Sequence, residues 1–327
     1  MVNEKQLRDE VKKLVSRDDV KYVIGYEQGT YGFQVTPSFA FTPEEAERFI
    51  FSPLCANNLS VYLMLEEKPP LRKGEKEDTR KVGLVVKGCD ARAVVQILQE
   101  KGLKRESLVI IGVPCTGVID PKKITVKFPH QIKPVDVREE GNHYVLTING
   151  KNQKIPKDEL LFEKCKQCEY PTPVIHDVLL GDEVKSTKKE EYKEIKTLEK
   201  KALKEKWEFW SKAFDRCIRC YACRNVCPLC YCKECIVDQL SPQWIYRSVN
   251  RSENTVWNLI RAYHLAGRCS GCGECERACP MNIPLTMLNK KIEKDIKELF
   301  QYVAGVNLEE KPLLAMFKPN DTEDTIL

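Results

Sequence analysis

The period of the apolar positions changes along the chain, and each change predicts an element. A charged helix near residues 4–16 leads into two short apolar runs, Tyr22–Tyr26 and Tyr31–Val35. The polar Glu27-Gln28-Gly29-Thr30 between them predicts a hairpin loop. Thr42-Pro43-Glu44-Glu45 has the chemistry of a helix start: Thr caps, Pro takes the first position and Glu45 completes a capping box. Leu59–Leu65 is a further strand or helix. Val82–Val86 is then a continuous apolar run of the kind buried on both faces of a parallel sheet. Asp90 caps a helix over Ala91–Lys101 that is apolar at Val94, Val95, Ile97 and Leu98, and Gly102 closes it. Leu108–Ile111 is a second buried strand. Strand, helix and strand form a βαβ unit, with parallel strands and a right-handed crossover.

A strand-rich stretch follows, with a hairpin predicted through Thr147-Ile148-Asn149-Gly150. At residues 183–214 the pattern turns abruptly Lys/Glu-rich. Ile195, Leu198, Leu203, Trp207, Trp210 and Phe214 fall near one helical face, and the aromatics read as core. Further helices are predicted over Glu253–Ala266, apolar at Val256, Trp257, Ile260 and Tyr263 and stopped by Gly267, and over Ile283–Phe300. The expected architecture is a small α/β sheet domain with a βαβ unit (1–182), then a charged helical linker (183–209). A helical, ferredoxin-like dicluster domain (210–305) and a C-terminal tail (306–327) that docks on a partner complete it.

Composition narrows the class. With 327 residues there is room for two cores. Lys+Arg (53) and Asp+Glu (48) nearly balance and are interleaved, so the net charge of +5 describes a solvated surface, and nucleic acid is not an expected partner. Neither a secretory leader nor an apolar run of membrane-spanning length is present, which predicts a cytoplasmic protein with no membrane span. The high Lys/Glu content is of the kind that suits a thermophile. The outlier is cysteine, with 16 residues. In a reducing compartment, clustered cysteines mean metal rather than disulfides.

Their spacing says which metal. Cys217-x2-Cys220-x2-Cys223-x3-Cys227-Pro228 and Cys269-x2-Cys272-x2-Cys275-x3-Cys279-Pro280 repeat one pattern, the ligand run of bacterial 4Fe–4S ferredoxins. Three close thiolates wrap three corners of a cubane cluster and a distant segment supplies the fourth; in two-run domains the Cys before Pro ligates the other cluster. The expected sets are Cys217, Cys220, Cys223 and Cys279 for one cluster, and Cys269, Cys272, Cys275 and Cys227 for the other. Zinc or disulfides need no repeated triple knuckle followed by Cys-Pro.

Cys89 and Cys115 each fall just past a strand of the βαβ unit, on the rim where open α/β sheets place their ligands. With Cys165-x2-Cys168 they make four thiolates, the expected set of a third 4Fe–4S cluster; partly buried free thiols are the plainer reading. Cys230-x-Cys232-x2-Cys235 is an extra knot that dicluster ferredoxins do not need. Cys55 completes it to a fourth set by count alone, and a water, His or partner ligand would serve equally in a metal site. Arg216, Arg219, Arg224, Arg268 and Arg277 flank the ligands, where they stabilise a more negative reduced state, face an acidic partner or simply meet solvent. His130, His143, His176 and His264 show no triad or zinc spacing, so no catalytic side chain is expected.

Val86-Lys87-Gly88-Cys89-Asp90-Ala91-Arg92-Ala93, Gly112-Val113-Pro114-Cys115, the Cys165/Cys168 pair and Asp177–Gly181 together resemble beta subunits of deazaflavin-reducing hydrogenases and formate dehydrogenases. Cys217–Cys235 resembles the dicluster domain of sulfhydrogenase beta subunits and anaerobic sulfite reductase A subunits. The resemblance covers about 82–181 and 210–300. It implies an iron–sulfur subunit of an anaerobic, multi-subunit oxidoreductase of hydrogenase, formate dehydrogenase or heterodisulfide-reductase-linked type. Such a subunit relays single electrons between a catalytic subunit and a carrier or flavin subunit, with ferredoxin as a further partner. Some members bind FAD, but this chain is short in the sheet domain and has no flavin fingerprint, which weighs against FAD here. Two alternatives stand beside this reading: a flavin-containing reductase of a deazaflavin or nicotinamide, and a non-redox zinc or scaffold module.

Overall fold

The computed structural model describes residues 3–65, 78–131, 133, 135–186, 191–317 and 319. Contacts divide the chain into two compact units, Met1–Arg92 with Leu103–Lys189 and Ala93–Gly102 with Glu190–Leu327.

The first unit begins with α1 (Glu4–Val15), capped by the Asn3 side chain on Lys5 N–H and burying Leu7, Val11 and Leu14. Strands β1 (Val20–Gln28) and β2 (Val35–Ala40) pair antiparallel from Gln28↔Val35 to Val23↔Ala40. The hairpin is therefore present, but its second strand starts where the predicted run ends. Tyr31–Gln34 belong to the turn, closed by Gly29 N–H on the Gln34 carbonyl at 2.9 Å. Two other expectations shrink to single 3-10 turns, Glu45–Arg48 and Leu59–Leu63. At the first, Glu45 accepts from the Phe41 N–H at 2.7 Å rather than boxing Thr42, and the chain leaves helical geometry at Phe49, whose ring is fully buried.

Strand β3 (Lys81–Val86), helix α2 (Gly88–Gln99) and strand β4 (Leu108–Gly112) form the βαβ unit. Its strands are parallel, in register from Val82↔Leu108 to Val86↔Gly112. Helix α2 ends on Lys101 in left-handed geometry (φ 58°), while the Gly102 N–H reaches the Ile97 carbonyl. The cap residue is thus Lys, not the glycine that composition pointed to. After α3 (Pro121–Lys127), strands β5 (Asp136–Glu140), β6 (His143–Ile148) and β7 (Lys151–Pro156) make a separate antiparallel sheet. Its β6–β7 turn, Asn149-Gly150, has positive φ at both positions. Two single-turn helices, α4 (Lys157–Leu160) and α5 (Glu163–Lys166), precede the short β8 (Val178–Leu179). The main sheet runs β2-β1-β3-β4-β8, all parallel except the edge strand β2.

The second unit is helical: α6 (Lys193–Glu199), α7 (Leu203–Asp215), α8 (Ala222–Asn225), α9 (Arg251–His264), α10 (Glu274–Arg277) and α11 (Leu285–Phe300). Its core joins Phe214, Trp257, Ile283, Leu285 and Leu288 with Cys217, Cys275 and Cys279. Trp207 of α7 is exposed, against the reading of the aromatics as core, and so is Leu203. On α9 the predicted stripe is only half buried: Trp257 and Ile260 pack on the core. Val256 and Tyr263 face solvent, and the buried face is Asn254, Trp257, Asn258, Arg261 and Ala262. Of the expected C-terminal tail, Leu313 and Met316 pack against Ile296, Tyr302 and Ala304; residues 318 and 320–327 lie outside the described residues, as do 187–190 of the expected linker. Among the described residues no helix is long and apolar enough to cross a membrane.

Candidate metal centres

In the first unit, Cys89 stands in the first turn of α2 and Cys115 follows β4, both at the carboxyl end of the parallel strands. One glycine brings the Cys165–Cys168 segment there. A Cβ on Gly88 would lie 1.7 Å from the Tyr170 carbonyl oxygen, so only glycine lets that backbone come so close. The Cys115 N–H then donates to the Pro171 carbonyl at 2.9 Å, and Arg92 covers the Tyr170 ring at 4.8 Å. Around the thiols, Gly117 N–H points to Cys115 Sγ and Val118 N–H to Cys165 Sγ, each at 3.4 Å. Burial pushes the Cys115 thiol up to about 12, with Cys165 and Cys168 acting in the same direction. The Cys168 thiol is also raised, chiefly by burial.

Beneath this rim lies a buried ion pair that sequence reading did not single out. Lys87, 1% exposed, sets its ammonium 2.8 Å from the Asp90 carboxylate and 2.8 Å from the Asn57 carbonyl, and it also donates to the Tyr26 hydroxyl. Burial works against the charge, but Asp90 and the thiols of Cys89 and Cys115 outweigh it, and the lysine pKa is raised. An ammonium held charged under two thiols is an electrostatic seat for anionic sulfur. Cys55 lies in this unit too, fully buried, with Sγ accepting from the Ser52 N–H at 3.3 Å and its thiol pushed by burial to about 11. The other three cysteines of the expected fourth set, Cys230, Cys232 and Cys235, are in the second unit.

In that unit the two runs build the same loop by different means. The residues before and after the second cysteine have positive φ in both: Arg219 (57°) and Tyr221 (59°) in the first, Gly271 and Gly273 (68° each) in the second. Glycine takes this geometry without a Cβ penalty, whereas other residues carry about 1–2 kcal/mol. The first loop is held in it by side-chain contacts. Arg219 donates to the carbonyls of Glu253 (2.7 Å) and Tyr246 (3.1 Å) and to the Tyr221 hydroxyl (3.1 Å), and Tyr221 meets Trp257 edge-on at 5.1 Å. The arginines preceding each run differ as well. Exposed Arg216 reaches the Asn282 carbonyl, while Arg268 makes a two-pronged ion pair with Glu100, which also accepts from the Tyr231 hydroxyl.

The thiols group across the runs. Apart from burial and the Arg261 guanidinium, the groups acting on the Cys223 thiol are Cys217, Cys279 and Cys220, and its pKa is raised. On the Cys275 thiol, raised well above its ordinary value by burial, they are Cys227, Cys269 and Cys272. Cys227, Cys269, Cys272 and Cys275 line one opening of about 380 Å³ together with Arg261 and Asn289. Asn289 Nδ2 points to Cys275 Sγ at 3.7 Å. Cys220 is exposed, whereas Cys272, its counterpart, is buried. Cys230 shares a hydrogen bond with Cys227 that lowers its own pKa and raises that of Cys227. Cys235 pairs with Arg224, and Cys232 is exposed. Among the described residues no three His, Cys, Asp or Glu groups are arranged to hold a single metal ion.

Four thiols around a space, rather than a point, suit a cluster: thiolates are its ligands, and buried N–H groups aimed at sulfur tune it. Similarity to known proteins runs the same way. Residues 79–213 match the family described as the C terminus of the coenzyme F420 hydrogenase/dehydrogenase beta subunit, and residues 213–283 match a 4Fe–4S dicluster domain. The chain is 27% identical over 291 residues to the F420-dependent formate dehydrogenase subunit beta of Methanocaldococcus jannaschii, covering 72% of this chain and 76% of that one. To the F420-dependent formate dehydrogenase 1 subunit beta of Methanococcus maripaludis it is 24% identical, over 93% and 91% respectively. A solved chain of the F420-reducing [NiFe] hydrogenase complex of Methanosarcina barkeri is 14% identical, covers 52% of this chain and 64% of its own length, and has a TM-score of 0.36. Residues 79–213 are thus similar to the C terminus of coenzyme F420 hydrogenase/dehydrogenase beta subunits, and residues 213–283 to a 4Fe–4S dicluster domain.

Proposed function

We propose that the protein is the iron–sulfur electron-transfer subunit of a multi-subunit oxidoreductase, related to F420-dependent formate dehydrogenases and hydrogenases, with the substrate chemistry carried out by a partner. Cys217, Cys220, Cys223 and Cys279 hold one 4Fe–4S cluster in a ferredoxin-like arrangement, and Cys269, Cys272, Cys275 and Cys227 hold a second. Cys89, Cys115, Cys165 and Cys168 hold a third on the sheet rim. When bound, each cluster supplies a one-electron couple whose potential follows charge, hydrogen bonding to sulfur and exposure. The observation that carries the reading is the company Cys275 keeps: two thiols of its own run and Cys227 of the other. Local spacing alone does not produce that exchange, but a two-cluster fold requires it. Anaerobically prepared protein is expected to be brown, to contain acid-labile sulfide and to take electrons from dithionite. Colourless protein, or zinc without sulfide, rejects the proposal.

A second reading, a reductase of F420 or a nicotinamide with its own flavin, is favoured by one feature. An opening of about 530 Å³ beside Cys115, lined by Pro114, Thr116, Gly117, Leu180 and Gly181, lies past β4 and β8, where α/β sheets bind ligands. Flavin released by acid precipitation of the isolated chain supports this reading, and its absence from a fully iron-loaded chain rejects it.

A further inference from the structure

Helix α9 turns a polar face inward. Asn254 donates to the carbonyls of Phe214 (3.1 Å) and Cys217 (2.8 Å), and Asn258 donates to the Asn254 carbonyl. On the same face, Arg261 donates through Nη2 to the Cys223 carbonyl at 3.0 Å. Arg261 is only 4% exposed, and its Nε is buried with no hydrogen-bond partner. Besides burial, the groups acting most strongly on its guanidinium are the thiols of Cys275, Cys227, Cys230 and Cys223. A buried cation without an anionic partner is costly, and a buried donor left unmade costs about 1–3 kcal/mol. Glu274 and Glu293 line the same opening, but Glu274 is taken up by Arg277, and the thiols are the acidic groups that act most strongly on Arg261. Arg261 also lines the opening formed by Cys227, Cys269, Cys272 and Cys275 while gripping the main chain of Cys223, so it touches both cysteine runs.

We infer that Arg261 is a positioning residue shared by the two ferredoxin-type centres: its buried charge and its free Nε–H raise the reduction potentials of both. The inference rests on the electron-transfer reading above. Adding one electron makes a thiolate-bound cluster more negative by one unit, and a fixed, buried cation beside it stabilises that state more than the oxidised one. The effect is stronger for the Cys227/Cys275 side, which the guanidinium lines, than for the side it reaches through a carbonyl.

The test is an anaerobic redox titration of the full chain, followed by electron paramagnetic resonance, with iron and acid-labile sulfide measured on the same samples. In Arg261→Gln, both dicluster potentials are expected to fall. The reduced fraction at fixed potential should drop about tenfold for the cluster of the second run, or about 59 mV for a one-electron couple, and less for the other, while the sheet-rim signal stays in place. Arg261→Lys keeps the charge but loses the paired donors and is expected to fall between. Full iron and sulfide with unmoved potentials in Arg261→Gln overturns the inference. If Arg261→Gln loses its clusters, Arg261→Lys decides: a downward shift supports the inference and a wild-type potential overturns it. Wild-type protein without acid-labile sulfide overturns the electron-transfer reading instead, and this inference falls with it.

Discussion

The two units gather their thiols in opposite ways. In the helical unit, each run of four cysteines lies within one loop and one short helix, and the proposed exchange of Cys227 and Cys279 links the runs. On the sheet rim, the four cysteines come from three separate segments. The proposed centre depends on parallel strands ending side by side, which puts Cys89 and Cys115 at one end of the sheet, and on Gly88 admitting the Tyr170 backbone. The local design depends on loop dihedrals, and the dispersed one on the whole sheet being correct. A fault in the first should damage one centre, whereas a fault in the second should reach the fold.

The largest expected effect follows from that contrast. Gly88→Ala puts a methyl group into a carbonyl oxygen and should cost about 3 kcal/mol, the upper end of overpacking penalties. It should also remove about one third of the iron, if each set binds a four-iron cluster. Thermal melting and iron analysis check both; unchanged iron would show that Cys168 does not depend on this approach. Next, Cys227→Ser should remove about the same share of iron without comparable loss of fold. The resonance lost should be that of the cluster held by the second run. Loss of the Cys217-run signal instead would break the proposed exchange.

Gly273→Ala should cost about 1–2 kcal/mol, because the second loop has no side-chain clamp like the one formed by Arg219 and Tyr221. Tyr221→Gly should relieve the same backbone penalty and yet not stabilise the protein, since it forfeits the Trp257 contact; melting temperatures of the two variants compare the loops directly. The smallest effect concerns Glu100. Burial pushes its pKa up, but the hydrogen bond from Arg268, with those from Tyr231 and Gln96, holds it below the ordinary 4.5. A depressed carboxylate contributes stability that is complete above its unfolded value and lost as pH falls through the folded one. Wild-type protein should therefore lose about 1 kcal/mol, the scale of one such hydrogen bond, on acidification below 4.5. Glu100→Gln should lose that pH dependence, as denaturant midpoints measured between neutral and acid pH will show.

The legible parts of this chain were those encoded locally. Continuous apolar runs marked β3 and β4, and cysteine spacing marked both ferredoxin-type loops, because thiolate number and reach are properties of a short segment. What escaped depended on distant packing. Half of the α9 stripe was right: Trp257 and Ile260 pack on the core while Val256 and Tyr263 face solvent, and the rest of the buried side is Asn254, Asn258 and Arg261, whose partners include main-chain atoms of the first run and of the helix itself. An arginine and two asparagines three and four residues apart were the available signal, but polar residues on a helix usually mean solvent. Lys87 and Asp90 were hidden for the same reason: three residues apart, they become a buried ion pair only where the sheet closes over them.

The grip of α9 on the first run has a consequence for biosynthesis. A ribosome delivers residues 217–227 well before 250–261, so an emerging chain shows its first four thiols with no helix behind them. Asn254 and Arg261 can fasten the main chain at Cys217 and Cys223 only later. Iron delivery that waits for the completed polypeptide would find both pockets shaped at once, whereas delivery during translation would meet a slack loop exposed to oxidants.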